Sequence, residues 1–350
     1  MMERILECVP NFSEGRDMAA VEAIAGAIGS VEGVKILDKS SGAAANRTVI
    51  TFAGAPEAVC EAAFRGAQKA SEVIDMRKQS GTHPRLGATD VLPLVPVSGI
   101  TMEESAALAR ALARWMWEEL GNPCYCYEAA AFIPERKRLE VCRSGEYEGL
   151  PGKLSDPALK PDFGPASFHK DPSLRTPRER REWETISRCG ASNVGARKFL
   201  IAVNFNLDSK DRSLAMEIAR DVRESGRLAP DGTRVPGVLR GCKAIGWYID
   251  EYGIAQVSMN ITDMDLTPLH LAYTEVCKAA AERGLKVTGT EIIGLLPLRA
   301  LTEAGQYFMK KKGLPGNAGE DGLIEEALED MNLNDLSTFD PDLRILERRI

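Results

Sequence analysis

In residues 90–101, Asp90-Val-Leu-Pro-Leu-Val-Pro-Val-Ser-Gly-Ile-Thr101, an apolar run leads through a short loop to a helix start. The same order of apolar strand, proline, loop and helix start returns in residues 291–302, Glu291-Ile-Ile-Gly-Leu-Leu-Pro-Leu-Arg-Ala-Leu-Thr302. Apolar runs of this length fit buried strands. Because the pattern occurs once in each half of the chain, it predicts two structurally related units.

The hydrophobic periodicity around these two stretches predicts the order β-α-β-β-α-β in each half. The first half is expected to contain strands at 4–9, 34–38, 48–53 and 91–97, with helices at 17–28 and 56–75, and then a helix from Thr101 and a strand at 124–127. The second half is expected to contain strands at 199–206, 242–249, 255–261 and 287–296, with helices at 211–224 and from Pro268 to Gly284. The predicted fold class is therefore α/β and sandwich-like, with two related subdomains and a ligand groove between them.

Four segments follow from this division. An N-terminal subdomain is predicted at 1–170, a charged linker or insertion at 171–193, a C-terminal subdomain at 194–312 and an acidic helical tail at 313–350. Residues 151–193 favour a linker because they are rich in charge and in Pro, Gly and Ser and have little apolar periodicity. Within them, 171–189 is expected to be an insertion with a short charged helix at about 178–186.

The composition is typical of a soluble globular protein. Apolar residues make up 44% and charged residues 27% of the 350 residues, and the formal net charge is −7. This balance argues against nonspecific nucleic-acid binding. We expect no membrane span and no signal peptide, because the apolar runs are short and the N-terminus lacks the required pattern. The 8 cysteines include no Cys-x-x-Cys pair and predict reduced thiols in a cytoplasmic protein.

One histidine has a constrained backbone, in Gly81-Thr-His-Pro-Arg-Leu-Gly-Ala-Thr-Asp90. Pro84 biases His83 toward an extended backbone and away from a helix interior, so its side chain should be presented. Arg85 and Asp90 offer an anion-binding cation and a carboxylate that could fix the imidazole tautomer. His83 is therefore the first catalytic candidate, although a histidine that only fills a loop gives the same pattern.

Four motifs occur in the order found in one enzyme family. They are Cys8-Val-Pro-Asn-Phe-Ser-Glu-Gly15, Asn46-Arg-Thr-Val49, the His83 segment and Pro161-Asp-Phe-Gly-Pro165. With them the chain resembles glutamate formimidoyltransferase, whose fold also forms the formiminotransferase half of formiminotransferase-cyclodeaminase. The resemblance covers most of the chain, and these 350 residues contain nothing similar to the cyclodeaminase half.

The resemblance implies an activity, a co-substrate and an assembly. The expected reaction transfers the formimino group of N-formimino-L-glutamate to N5 of tetrahydrofolate, giving 5-formiminotetrahydrofolate and L-glutamate in histidine degradation. Tetrahydrofolate or its polyglutamate is the expected co-substrate, no metal is expected, and a homodimer is implied. Related readings remain open: another donor such as formiminoglycine, a 5-formyltetrahydrofolate cyclo-ligase, or a folate-binding protein without turnover.

The resemblance also assigns roles to individual residues. His83 matches the family's catalytic histidine and would act as general acid and base. Ser40 stands where the family has a second acidic residue, two places after Asp38, which leaves the donor open. Arg47 is a candidate for holding a substrate carboxylate, and an arginine in a surface ion pair is the lesser alternative. The other candidate binding residues are Asn11, Arg85 and Asp90, together with the stretch that matches the family's folate-binding segment, Gly164, Pro165, Ser167 and Phe168.

Overall fold

The structure is a computed structural model that describes residues 4–43, 45–81, 83–315 and 318–350. Thr82 of the His83 segment, and Gly316 with Asn317 of the predicted tail, lie outside these ranges. The chain folds into two compact units. The first runs to Arg197 and also includes Ile350, and the second is Lys198–Arg349.

The first unit is built on one mixed sheet with helices. Its strands are β1 (Ile5–Cys8), β2 (Asn11–Phe12), β3 (Val34–Gly42), β4 (Arg47–Gly54), β5 (Thr89–Ser98), β6 (Cys124–Glu128) and β7 (Ser192–Ala196). Its helices are α1 (Met18–Gly29), α2 (Pro56–Val73), α3 (Met102–Leu120), α4 (Leu139–Arg143), α5 (Leu150–Ser155) and α6 (Pro177–Cys189). Short 3-10 turns occur at Met76–Lys78, Pro134–Lys137 and Pro172–Leu174.

The first strand of this unit is interrupted at Pro10, which has no N–H for a neighbouring strand. β1 and β2 lie on either side of the interruption, and both pair antiparallel with β4 and β5. The carbonyl of Pro10 accepts from the N–H of Ile50 at 3.1 Å, which keeps the two pieces in line. β3 pairs with β4, while β7 and β6 extend the sheet in parallel beyond β5. This register sets Asn11 opposite Val91, directly beside Asp90.

Helices α1, α2 and α3 pack on this sheet and enclose its main core. α3 begins with the predicted capping box, in which Thr101 and Glu104 satisfy each other's backbone N–H groups. Alternate residues of β6 contribute to different cores: Cys126 packs in the main core, and Tyr125 packs in a second cluster with residues of α4, α5 and α6.

The second unit has a smaller, four-stranded sheet and a separate two-stranded sheet. The strands of this unit are β8 (Ile201–Leu207), β9 (Arg227–Leu228), β10 (Arg234–Val235), β11 (Cys242–Ile249), β12 (Ile254–Ile261) and β13 (Val287–Ile293), of which β9 and β10 form the two-stranded sheet. Its helices are α7 (Arg212–Val222), α8 (Leu269–Ala281), α9 (Leu298–Lys311), α10 (Glu320–Asp330), α11 (Pro341–Arg344) and α12 (Leu346–Arg349).

The two units share one topology, as the repeated stretch predicts. The first contains β1-α1-β3-β4-α2-β5, and its strands lie in the order β3-β4-β1-β5. The second contains β8-α7-β11-β12-α8-β13, and its strands lie in the order β11-β12-β8-β13. Each half therefore forms the predicted β-α-β-β-α-β subdomain.

The structure differs from the predicted segments at 171–193 and at the start of the second subdomain. Much of 171–193 is the helix α6, which includes the expected short helix at about 178–186; its Ile186 and Cys189 are buried, and Ile186 packs in the second cluster of the first unit. β7 then lies between β5 and β6, so the first unit continues to Arg197. The segment is no free linker, because Ile186 and Cys189 on one side of this helix are buried in the first unit.

The acidic tail begins with the helix α10, which packs on the second unit. Leu323, Ile324 and Ala327 of α10 are buried against the core of the second unit. Among the described helices, none is long and apolar enough to cross a membrane.

Candidate active site

Side-chain hydrogen bonds fix the loop that leads to His83. The Nδ2 amino group of Asn46 donates to the carbonyl of Ser80 at 3.1 Å and also to the side chain of Gln79. Gln79 donates in turn to a carboxylate oxygen of Glu14 at 2.8 Å. The φ of Asn46 is 49°, a left-handed conformation that asparagine tolerates better than most residues. The histidine loop is therefore tied to the ends of β2 and β4.

Glu14 links this loop to the first helix. Its Oε1 accepts the backbone N–H groups of Gly15, Arg16 and Asp17 at 2.8 to 3.0 Å. Gly15 is required by close approach, because a Cβ there would lie 2.6 Å from the backbone nitrogen of Arg47 and 2.7 Å from the carbonyl oxygen of Gly42. A side chain at this position would displace Arg47.

His83 has a defined tautomer and a depressed pKa. Its Nδ1 lies 2.8 Å from the carbonyl oxygen of Pro84, and because a carbonyl can only accept, the Nδ1–H donates there. In the neutral ring Nε2 then carries the free lone pair. Partial burial lowers the pKa of His83 below its ordinary value, and the positive charges of Arg47 and Arg143 lower it further. At neutral pH the imidazole of His83 is thus neutral, and its unprotonated Nε2 is able to accept a proton.

Asp90 is fully buried and receives two guanidinium groups. Its Oδ2 accepts from Arg47 Nη1 at 2.5 Å and from Arg143 Nη2 at 2.8 Å, and its Oδ1 accepts the N–H of Leu86 at 2.9 Å. Hydrogen bonds from two cations to one carboxylate are strong at such a buried position. The group carries one net positive charge, since two guanidinium groups meet one carboxylate.

Asn11 completes this group of side chains. Its Oδ1 accepts from Arg47 Nε at 3.1 Å, and its Nδ2 donates to the carbonyl of Val9 at 2.8 Å. Arg47 is accordingly held by two protein acceptors, Asn11 and Asp90. The ion pair expected as the alternative for Arg47 exists, but it is buried and not on the surface.

Asp38 and Ser40 lie together on β3. The hydroxyl of Ser40 donates to Asp38 Oδ2 at 2.8 Å. The serine that replaces an acidic residue of the family thus contacts the remaining carboxylate directly. A role of this pair toward a substrate stays a prediction.

Arg85 and the stretch 164–168 contact other parts of the first unit. Arg85 donates to Glu148 at 2.6 Å and to the carbonyl of Gln79 at 3.2 Å, so it fixes the loop that bears His83. Phe168 is buried and contacts Trp183 at a ring-centroid distance of 5.3 Å. Gly164 and Pro165 pack in the same stretch, while Ser167 is exposed. Folate binding by these four residues stays a prediction.

Sequence reasoning missed Arg143 and the positioning role of Asn46. Arg143 is far from Asp90 in the chain, and no spacing rule connects a residue of α4 with a residue of β5. Asn46 was part of a quoted motif, but its contacts form only when three loops meet in the fold.

Cysteine thiols and metal-binding side chains form no further site in the described part of the chain. Within the described residues the cysteines are free, and no group of three or more His, Cys, Asp or Glu side chains is placed to hold a metal ion. Burial raises the pKa of Cys126 to about 12 and that of Cys142 to about 11, so both are protonated at neutral pH.

The two subdomains and the site define the class of protein. The N-terminal subdomain of the formiminotransferase domain matches residues 5–173, and the formiminotransferase domain matches residues 202–350. The chain belongs to the formiminotransferase family, which confirms the resemblance seen in the motifs.

Particular relatives make this assignment more specific. The chain is 38% identical to the glutamate formimidoyltransferase of Streptococcus pyogenes serotype M1, over 88% of this chain and 94% of that protein. The glutamate formimidoyltransferase of Thermoplasma acidophilum is 37% identical over 93% of this chain and 97% of that protein. The formimidoyltransferase-cyclodeaminase of Rattus norvegicus is 42% identical over 99% of this chain, which spans 60% of the length of that protein.

Proposed function

We propose that this protein transfers the formimino group of N-formimino-L-glutamate to N5 of tetrahydrofolate, with His83 as the general acid and base. The observation that supports it most directly is the neutral His83, whose Nε2 is free while Nδ1–H is engaged by the Pro84 carbonyl. Two glutamate formimidoyltransferases, which this chain matches over most of their length, support the same reaction.

One nitrogen atom, Nε2 of His83, can carry out both proton transfers of the reaction. N5 of tetrahydrofolate attacks the amidine carbon of the donor, and Nε2 of His83 accepts the proton that N5 loses. The resulting tetrahedral intermediate collapses as the bond between that carbon and the glutamate nitrogen breaks, and the imidazolium returns the proton to the departing amine. A base with a pKa somewhat below neutral can serve both steps.

The Arg47–Asp90–Arg143 group supplies the electrostatic setting. Its net positive charge favours the neutral imidazole over the imidazolium and attracts a donor that carries two carboxylates. Because Asp90 holds both guanidinium groups in place, they need not reorganise as charge moves. In this proposal Asp90 is a positioning residue, and Arg47 and Arg143 act on the substrate through their charge.

The remaining predicted features belong to the same proposal. Asp38, oriented by Ser40, would accept a hydrogen bond from the amidine of the donor. Residues 164–168 would line the folate, and tetrahydrofolate or its polyglutamate would be the co-substrate. A homodimer in the cytoplasm, acting in histidine degradation without a metal, completes the proposal.

A transfer assay tests the function. Purified protein is incubated with tetrahydrofolate and N-formimino-L-glutamate, and 5-formiminotetrahydrofolate is followed. Parallel reactions contain formiminoglycine as donor, or 5-formyltetrahydrofolate with ATP. We expect product from formiminoglutamate only, and product in a parallel reaction instead would replace the substrate. Tight folate binding without product in any reaction would point to a folate-binding protein.

A further inference from the structure

A cavity of about 730 Å³ in the second unit is lined mainly by arginines. It lies where α7 meets the β9–β10 hairpin and the turn after α8. We call it the arginine cavity, and its charged lining residues are Glu217, Arg220, Asp221, Arg223, Arg227, Arg234 and Arg283. The formimino transfer proposed above uses residues of the first unit and none of these.

The carboxylates of the cavity are already occupied by two of its arginines. Arg283 donates to Asp221 through Nη2 and lies 3.4 Å from Glu217 through Nε. Arg227 also approaches Asp221, at 3.4 Å. Since the lining contains five guanidinium groups and only these two carboxylates, it has three positive charges in excess.

Two of the other arginines, Arg223 and Arg234, are held by backbone carbonyls, which carry no full charge. Arg223 donates to the carbonyls of Gly226 and Ala244 at 3.0 and 3.2 Å. Arg234 donates to the carbonyl of Ser225 at 2.7 Å. These bonds fix both guanidinium groups, and no carboxylate of the described residues pairs with either, which is the arrangement of a prepared anion site.

The hairpin that presents Arg227 and Arg234 is itself fixed. Gly226 has a φ of +60°, and a Cβ there would lie 1.8 Å from the carbonyl oxygen of Val235. Only glycine permits this close turn. Arg220, by contrast, is exposed and has no acidic partner within the described residues, so its guanidinium can turn into the cavity.

A second cavity, of about 350 Å³, continues along α7. It shares Glu217 and Arg220 with the arginine cavity and adds Arg212. At a helical rise of about 1.5 Å per residue, residues 212 to 223 extend over roughly 17 Å. The cations therefore form a row, and a ligand that uses all of them must be elongated.

We propose that the arginine cavity binds an elongated polyanion whose phosphate or carboxylate groups pair with Arg220, Arg223 and Arg234. Guanidinium groups bind both kinds of oxyanion in a bidentate manner, so the chemistry of the lining fits either source. A small single anion would leave most of the excess charge unmatched. The site is a function of the second unit that is separate from the acid and base chemistry of His83.

Calorimetric titration of the full chain tests this site with two probes, tripolyphosphate and a short α-linked oligoglutamate. The double variant Arg220→Glu, Arg234→Glu reverses two cations of the cavity. The control Arg240→Glu changes the charge of an exposed arginine of the same unit that does not line the cavity. We expect the wild type to bind one probe more tightly than the other, and the double variant to lose more than about tenfold in affinity for it. The control should lose less than about twofold, as expected for the long-range field alone.

Three results would overturn the proposal: no binding of either probe by the wild type, unchanged binding by the double variant, or an equal loss in the control. The milder double variant Arg220→Gln, Arg234→Gln replaces the first if that protein does not fold, as judged by its thermal midpoint. Formimino transfer measured in parallel separates the two proposals, because the double variant should keep the activity of the wild type.

Discussion

The two units place different polar side chains on the same scaffold. In the repeated stretches, Asp90 of β5 corresponds to Glu291 of β13, and each of these strands pairs antiparallel with the first strand of its unit. Asp90 is met by the guanidinium groups of Arg47 and Arg143. Glu291 is met by amides, as Asn204 Nδ2 donates to its Oε2 at 2.9 Å and Gln256 Nε2 donates at 3.2 Å.

The two carboxylates therefore differ in their donors: Asp90 is paired with cations, whereas Glu291 accepts hydrogen bonds from neutral amides. Partial burial, together with the positive charges of Arg47 and Arg143, holds the pKa of His83 low. In the second unit the histidine, His270, stacks on Tyr307 at 4.6 Å between ring centroids. The shared fold explains where the two carboxylates lie, whereas the neighbouring residues decide whether the position supports proton transfer.

The largest expected difference comes from isosteric neutralisation of the two carboxylates. Asp90→Asn leaves two largely buried arginines without a counter-charge and should lower the free energy of unfolding by about 3–5 kcal/mol. Glu291→Gln keeps an acceptor for the same amides and should cost about 1 kcal/mol or less. Urea unfolding of both variants measures this, and equal losses would remove the distinction between the two units.

A smaller effect is expected for glycines of the first unit. In Gly15→Ala the new methyl group meets the backbone of Arg47 and Gly42, and stability should fall by about 1–3 kcal/mol together with activity. Gly26→Ala is the control, because that exposed glycine of α1 has no atom within 4 Å of a new Cβ. It should raise stability by about 0.5–1 kcal/mol. Thermal unfolding distinguishes the two, and a neutral Gly15→Ala would refute the close approach.

Two asparagines with a left-handed backbone conformation, one in each unit, allow the loops of the two units to be compared. Asn46→Gly keeps the backbone conformation but removes the hydrogen bond to Ser80, so kcat should fall about tenfold as His83 loses its position. Asn332 has a φ of 44° and lies in the second unit, where its side chain donates to the carbonyl of Thr288. Asn332→Gly should lower stability and leave kcat unchanged. A similar loss of kcat in both would show that the effect is not specific to the histidine loop.

The smallest effect is a shift in the pH dependence. Because the pKa of folded His83 lies below its ordinary value of about 6.5, kcat/KM should stay level from pH 8 to 6.5 and decline only below that. Stability changes with pH in the same direction. The contribution of His83 to stability is present above the pKa of the unfolded state and is lost as the pH falls through the pKa of the folded state. In Arg47→Gln, loss of the positive charge should move the decline to higher pH. An acid limb that stays in place would show that Arg47 does not set this pKa.

Much of the fold could be predicted from apolar periodicity, and the failures have physical causes. The β-α-β-β-α-β order follows from runs such as Val91 to Val97, which are buried wherever the partner strands lie. β7 was missed because Ser192-Asn-Val-Gly-Ala196 is short and contains a glycine that packs on Tyr127. Its pairing depends on strands far away in the chain.

The site was predictable residue by residue but not as a network. His83, Asp90, Arg47 and Asn11 each stand in a motif, and a proline or a strand end marks their place. Arg143 has no such mark, because its role comes from the carboxylate that it meets. Patterns indicate which side chains are presented, while distances between loops decide which of them act together.

The most direct test of the central claim is the turnover of His83→Ala, measured together with its affinity for tetrahydrofolate. Removal of a general acid and base should lower kcat by about 10²–10⁴-fold and leave folate affinity within about twofold. His270→Ala, the matching change in the second unit, should keep its turnover. Transfer by His83→Ala at the wild-type rate would contradict the account.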